Sequence, residues 1–204
     1  AGTRVDGDER SVSLDPDDLN SRVKLGLVQM ELKRNDQATQ TFVKILETNP
    51  EAERVRYYLG SLYEQTGKVD AAIEQLCKIK SDSKLFSESA LHVAYMMKQT
   101  GKAAQARSFL QKAIEQAPQN AGFYLLKANL EEEGKSLDEA RKTLEGAVAK
   151  FPEDEKLRYY LGSVHDRLGD ADKGMEQMEA ILRINAENVD ALNYIGYTWR
   201  LKGV

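Results

Sequence analysis

Apolar positions along this chain recur with a helical period. Leu59, Leu62 and Tyr63, and again Leu161, Val164 and His165, stand at i, i+3, i+4, as one buried face of an amphipathic helix requires. A second helical stripe follows each of these, carried by Ala72, Leu76 and Ile79 in one stretch and by Ala106, Leu110 and Ala113 in another. The punctuation between stripes is regular. The four prolines, Pro16, Pro50, Pro118 and Pro152, are separated by 34, 68 and 34 residues. Gly26, Gly60, Gly162 and Gly196 share one column of that 34-residue frame, and Gly67, Gly101, Gly169 and Gly203 share another. A fixed period of this length is the mark of a stacked-repeat architecture. Blocks therefore begin at Leu19, Glu53, Ser87, Ala121, Glu155 and Val189 without insertion, and each is predicted to be a helical hairpin.

The two glycine columns have different physical work. A mid-helix glycine such as Gly60 lowers helix propensity by about 1 kcal/mol, which is acceptable where the missing side chain lets a neighbouring helix approach. Ala94 and Ala128 occupy that column in the third and fourth blocks. Gly67 and Gly169 follow the first helix and suit the left-handed residue that ends it. The proline column then stops the second helix, because proline lacks the N–H that the ladder needs.

Tyr-Leu-Gly-Ser-Leu-Tyr at 58–63, followed by Gly67, Ala72, Leu76 and Ile79, resembles the tetratricopeptide repeat in its first-helix Leu-Gly and Tyr columns and its second-helix Ala column. The resemblance covers five full repeats, 19–52, 53–86, 87–120, 121–154 and 155–188, and a half repeat, 189–204. Residues 157–163 nearly copy 55–61 three repeats earlier, consistent with internal duplication. The fold implied is an all-α, right-handed α-solenoid of stacked antiparallel hairpins with a 34-residue period, one quasi-linear body rather than separate domains. Lys84 and Ala186 replace the expected proline, Lys127 and Glu131 sit in usually apolar columns, and Lys33 and Lys135 replace the turn glycine. Asn35 and Gly134 stand nearby, so shifted turns are expected there. Residues 1–10 are polar and expected to be a mobile lead-in, and 11–18, with Pro16, the tail of a preceding repeat.

Composition narrows the function. With 41% hydrophobic and 30% charged residues the chain is an ordinary folded one. Its net charge of -4 offers nothing that recruits phosphate backbones, so no nucleic-acid partner is expected. Its longest nearly apolar run, Ala90 to Met97, contains His92 and is far shorter than the roughly 20 residues of a membrane span. The chain opens on Ala1 with no apolar signal stretch. Catalytic residues, metal ligands and cofactors are all expected to be none. The two histidines, His92 and His165, lie two repeats apart, too far to share an ion at about 10 Å per helix layer. Cys77, beside Lys78 and Lys80, is expected on a helix surface without a base partner, and Glu131, Glu132 and Glu133 as a solvated face, since consecutive helical residues diverge. No phosphate loop or nucleophile elbow occurs.

The resemblance implies that a partner protein or peptide is bound in a concave groove lined by first-helix positions. On this chain those positions give Tyr57, Leu91, Tyr95, Leu125, Asn129 and Tyr159 as the contact row, flanked by Arg54 and Lys98. Position five carries no lysine, so the carboxylate clamp of chaperone-binding members is not expected. The alternative is a scaffold that self-assembles through repeat ends. Leu192, Ile195, Gly196 and Trp199 are expected to pack on Met178, Ile181 and Leu182, leaving Tyr194, Tyr197 and Trp199 as candidate self-association residues of a homo-oligomer. Residues 191–198 also resemble helices of bacterial envelope proteins of this class, and the compartment stays open between cytoplasm and bacterial periplasm or envelope.

Overall fold

The computed structural model describes residues 19–203. The expectations for residues 1–18 lie outside the described residues. Within these the chain forms eleven α-helices and no strand. Six are first helices of repeats: α1 (Leu19–Glu31), α3 (Glu53–Gln65), α5 (Phe86–Gln99), α7 (Ala121–Glu133), α9 (Glu155–Arg167) and α11 (Val189–Lys202). The second helices are α2 (Asn35–Thr48), α4 (Val69–Leu76), α6 (Ala103–Gln116), α8 (Leu137–Lys150) and α10 (Ala171–Ile184). The chain falls into two compact units that divide between Met96 and Met97, inside α5.

In the first unit, Ala38, Phe42 and Ile45 of α2 meet Val55, Leu59 and Leu62 of α3 in one buried cluster. The mid-helix column explains the closeness of the hairpins in which it holds glycine, at Gly26, Gly60 and Gly162. A Cβ at Gly60 would stand 2.6 Å from Leu76 Cδ2, so only glycine lets α4 seat against α3. In the second unit, Ala128 of α7, Leu144 and Ala147 of α8, and Leu157, Leu161 and Val164 of α9 form one cluster. Met178 and Ile181 of α10 form another with Ala191 and Ile195 of α11.

Several local expectations are corrected. Helix α4 stops at Leu76, so Ile79 and Cys77 are not helical, although Ile79 is buried. The chain tightens there through bonds from Lys78 N to Gln75 O and Ile79 N to Leu76 O. Lys80 then ties the segment to the start of α3, its N–H donating to Glu53 and its ammonium to Glu51. The turns at Lys33 and Lys135 are not shifted. Each lysine itself takes the left-handed conformation, at φ 57° and 61°, while Gly134 stays at φ -74°. Backbone bonds closing the turn, such as Arg34 N to Gln29 O and Ser136 N to Glu131 O, offset the strain.

The acidic run is not a solvated face. Glu131 is 5% exposed, Glu132 pairs with Arg167, and Glu133 pairs with Lys98 at 2.7 Å. Helix α7 tolerates Lys127 and Glu131 in apolar columns because they satisfy one another. Lys127 Nζ lies 3.0 Å from Glu131 Oε1, and the Thr143 hydroxyl of α8 donates to Glu131 Oε2 at 2.8 Å. At the other end, Ile195 of the expected stripe packs on Met178 and Ile181 of α10, but it does so with Ala191 and Tyr194 rather than with Leu192, Gly196 and Trp199. Leu192 and Trp199 are 47% and 56% exposed, and a Cβ at Gly196 would touch nothing. These three occupy the face that in other repeats receives the second helix of the same hairpin.

Candidate functional site

Of the expected contact residues, Arg54, Tyr57, Leu91 and Tyr95 belong to the first unit and Lys98, Leu125, Asn129 and Tyr159 to the second. In the first unit, α3 and α5 are joined at two levels. The Tyr57 hydroxyl donates to Glu88 Oε1 at 2.6 Å, and His92 Nδ1 lies 3.1 Å from Glu64 Oε2. Burial, and then the Glu88 carboxylate, push the Tyr57 pKa up to about 12. The phenol is thus a fixed neutral donor. Leu91 is half-buried, whereas Tyr95, one turn further along α5, is 48% exposed. Arg54 stands exposed in the first turn of α3.

In the second unit, Leu125 packs onto the α7–α9 core and is half-buried there. Asn129 is also half-buried. Tyr159 packs on the α10–α11 cluster and meets Tyr160 edge-on at 5.9 Å between ring centroids. Beside it lies a recess of about 340 Å³ lined by Glu155, Lys156, Tyr159, Tyr160, Asn188 and Asp190. Lys98 is held by Glu133 and is no free cation. Tyr194 is half-buried and its hydroxyl engages Asp166. Burial first, and that carboxylate second, raise its pKa to about 12. This removes Tyr194 from the exposed self-association set, because its ring and hydroxyl are already used within the unit. Tyr197 and Trp199 are 63% and 56% exposed.

The remaining chemistry-bearing side chains are accounted for by packing. His165 is 5% exposed and lies 3.8 Å from Glu145; desolvation lowers its pKa. The Cys77 thiol is raised by desolvation, and the lysines beside it are engaged, Lys78 with Glu74 and Lys80 with Glu51. Among the described residues no cluster of His, Cys, Asp and Glu could hold a metal ion, and no helix is long and apolar enough to cross a membrane. Sequence reasoning missed the Lys127–Glu131–Thr143 network. Its signal was present: Gln29 and Thr41, three repeats earlier in the same two columns, form the neutral counterpart, with Thr41 donating to Gln29 at 2.7 Å.

No curated protein matches the chain. Solved structures similar in fold include YrrB, described as a TPR protein with an unusual peptide-binding site, at 14% identity and TM-score 0.62 over 91% of this chain and 96% of that one. MamA aligns at 19% identity and TM-score 0.64, covering 83% of this chain and 92% of that chain. TTC0263 of Thermus thermophilus, a thermophilic TPR protein, aligns at 20% identity and TM-score 0.53, covering 87% and 97%. At these identities the likeness is one of fold, an all-α helical-repeat solenoid. Tetratricopeptide-repeat family models match residues 23–83, 98–161 and 137–189. With its helical hairpins on a 34-residue period, the chain belongs to the tetratricopeptide repeat family, whose members generally mediate protein–protein interaction.

Proposed function

We propose that this chain is a non-enzymatic scaffold that binds a peptide or helix of a partner protein on its first-helix surface, through Tyr57, Leu91, Tyr95, Leu125, Asn129 and Tyr159, with Arg54 and Lys98 at the flanks. The observation that carries the reading is Tyr95. It is an aromatic ring left 48% exposed beside a row whose neighbours are held rigidly by Tyr57–Glu88 and His92–Glu64. Rigid amphipathic rings supply contact area at low entropic cost, with hydroxyls to bond a ligand backbone. The likeness to YrrB, described as having a peptide-binding site, supports the same reading.

The test is affinity capture followed by calorimetry on the identified partner, comparing the parent with Tyr57→Ala/Tyr159→Ala and with Tyr95→Ala. Truncating a true anchor should cost about 2 kcal/mol or more, on the order of 30-fold in affinity. Folded variants with unchanged affinity would sink the groove reading.

A second reading, self-association through the last helix, is favoured by one observation. Val189, Leu192, Tyr197, Trp199 and Leu201 of α11 are all exposed. Leu192 and Trp199, one face of that helix, are the exposed apolar pair a second copy would cover. Light scattering over a concentration series decides it: a strictly monomeric species with Trp199 emission independent of concentration excludes the self-association.

A further inference from the structure

Three hairpins of this chain show what covers the face that α11 leaves open. A Cβ at Gly26, Gly60 or Gly162 would stand 2.4, 2.6 or 2.8 Å from Phe42, Leu76 or Met178, so a large apolar side chain of the second helix seats in each glycine notch. In α11 the same column holds Gly196, where a Cβ would meet nothing within 4 Å. It is a notch of the same kind, and no described residue fills it.

Helix α11 also carries the knob for such a notch. Val189, Leu192, Gly196 and Trp199 are spaced three, four and three residues apart, the period of a seam that meets another helix along its length. Val189, Leu192 and Trp199 are exposed, while Ala191, Tyr194 and Ile195 hold the helix to α10 from its other side. If a second α11 runs antiparallel about a twofold axis at the level of residue 194, each Leu192 falls opposite Gly196 of the other copy. Each Val189 then falls opposite Trp199 of the other copy, because both pairs are centred on the same residue. Charge agrees with that direction. Glu187 and Asp190 stand exposed at the start of the helix, and Arg200 and Lys202 exposed at its end. Antiparallel copies set acids beside bases, whereas parallel copies set like beside like.

We infer that this face is a dimer seam whose occupant is α11 of a second copy, antiparallel, with Leu192 of each copy in the Gly196 notch of the other. This rests on the self-association reading above and gives it a partner element, a direction and a register. What points to a second copy is self-complementarity: the notch, the knob that fits it and charges of both signs in matching order all lie on one helix, as a twofold contact requires. A seam of four layers is small for a specific interface, so the dimer is expected to dissociate at micromolar concentrations.

The test is sedimentation velocity over a concentration series on the full chain and on Gly196→Glu. A side chain at Gly196 has open space in the single copy, so this variant stays folded, which circular dichroism verifies. In the dimer it would face Leu192 twice over, and the dissociation constant should rise at least about tenfold. Direction and register are read by disulfide crosslinking in a Cys77→Ser background, which removes the exposed native thiol. Asn193→Cys, close to the axis, should join two copies. Lys202→Cys should not join to itself but should join to Glu187→Cys in a mixture. A dimer that Gly196→Glu does not weaken, that leaves Asn193→Cys unjoined or that joins Lys202→Cys to itself overturns the antiparallel seam while leaving self-association standing. A chain that is monomeric throughout the series overturns both and leaves the open face to a helix of another protein.

Discussion

The first hairpin of each unit places different chemistry in the same buried columns. In α1 these columns hold Leu25 and Gln29, and Gln29 accepts from Thr41 of α2. In α7 they hold Lys127 and Glu131, and Glu131 accepts from Thr143 of α8 while pairing with Lys127. A hydroxyl on the second helix thus serves an amide in one unit and a carboxylate in the other. The comparison teaches that these usually apolar columns accept a polar group wherever the second helix satisfies it, and that the charged solution has a vulnerability the neutral one lacks.

That vulnerability gives the largest expected effect. Lys127→Leu should cost about 3–5 kcal/mol of stability by leaving a buried carboxylate without its cation. Adding Glu131→Gln, which recreates the arrangement of the first unit, should recover most of it. Urea unfolding of the single and double variants measures both, and a single-variant loss below about 1 kcal/mol would break the comparison.

Next comes the mid-helix glycine column. Gly26 faces the Phe42 ring, whereas Gly196 faces open space. Gly26→Ala should destabilise by about 1–3 kcal/mol through overpacking. Gly196→Ala should be neutral or stabilise by up to about 1 kcal/mol through helix propensity. Thermal unfolding of both variants under one set of conditions tests the contrast; equal effects would mean that the last helix is covered.

A smaller effect concerns helix starts. Arg34, Ala52 and Lys68 in the first unit provide no side-chain cap, nor do Lys102 and Ser136 in the second, while Asn120, Asp154, Asp170 and Asn188 in the second each accept a backbone N–H. Asn188→Ala should cost about 1 kcal/mol, and Ala52→Asp, which copies Asp154 into the first unit, should gain a comparable or smaller amount. Amide exchange in the first turns of α11 and α3 would report each change locally.

The smallest effect is pH-dependent and separates Tyr63 from His165, which share a column. His165 is held neutral because desolvation lowers its pKa from the ordinary 6.5. The folded state therefore binds this proton less well than the unfolded chain. The stability is fully present above about pH 6.5 and is lost as pH falls from there through the lowered folded value. Amide exchange across this range should show the second unit loosening in acid, and His165→Tyr should abolish that loosening. An unchanged acid response in the variant would assign it to other groups.

What was legible in the sequence, and what was not, divides along the same physical line. Gly60, Gly67, Leu59, Leu62, Ala72 and their counterparts revealed hairpins, period and family, because backbone conformation and close helix approach restrict a column to one or two residue types wherever it recurs. The contact row was legible only as candidate positions. Whether Leu125 packs inward while Tyr95 stays exposed depends on neighbours whose reach no column states.

The sequence by itself determined the repeat, its register and the helical hairpin, since 3.6-residue periodicity, glycine and proline act locally and identically in every block. Only the tertiary structure decided where charge could be buried, where α4 ends, which lysines turn left-handed and which face of α11 stays open. The left-handed lysines are closed by local backbone bonds, but the others are settled by partners distant in sequence: Thr143 for Glu131, Glu53 for Lys80, and Met178 for Gly162, with no such partner touching Gly196. A side chain's fate in a solenoid follows from what the adjoining helix presents to it, and that is a property of packing rather than of the residue.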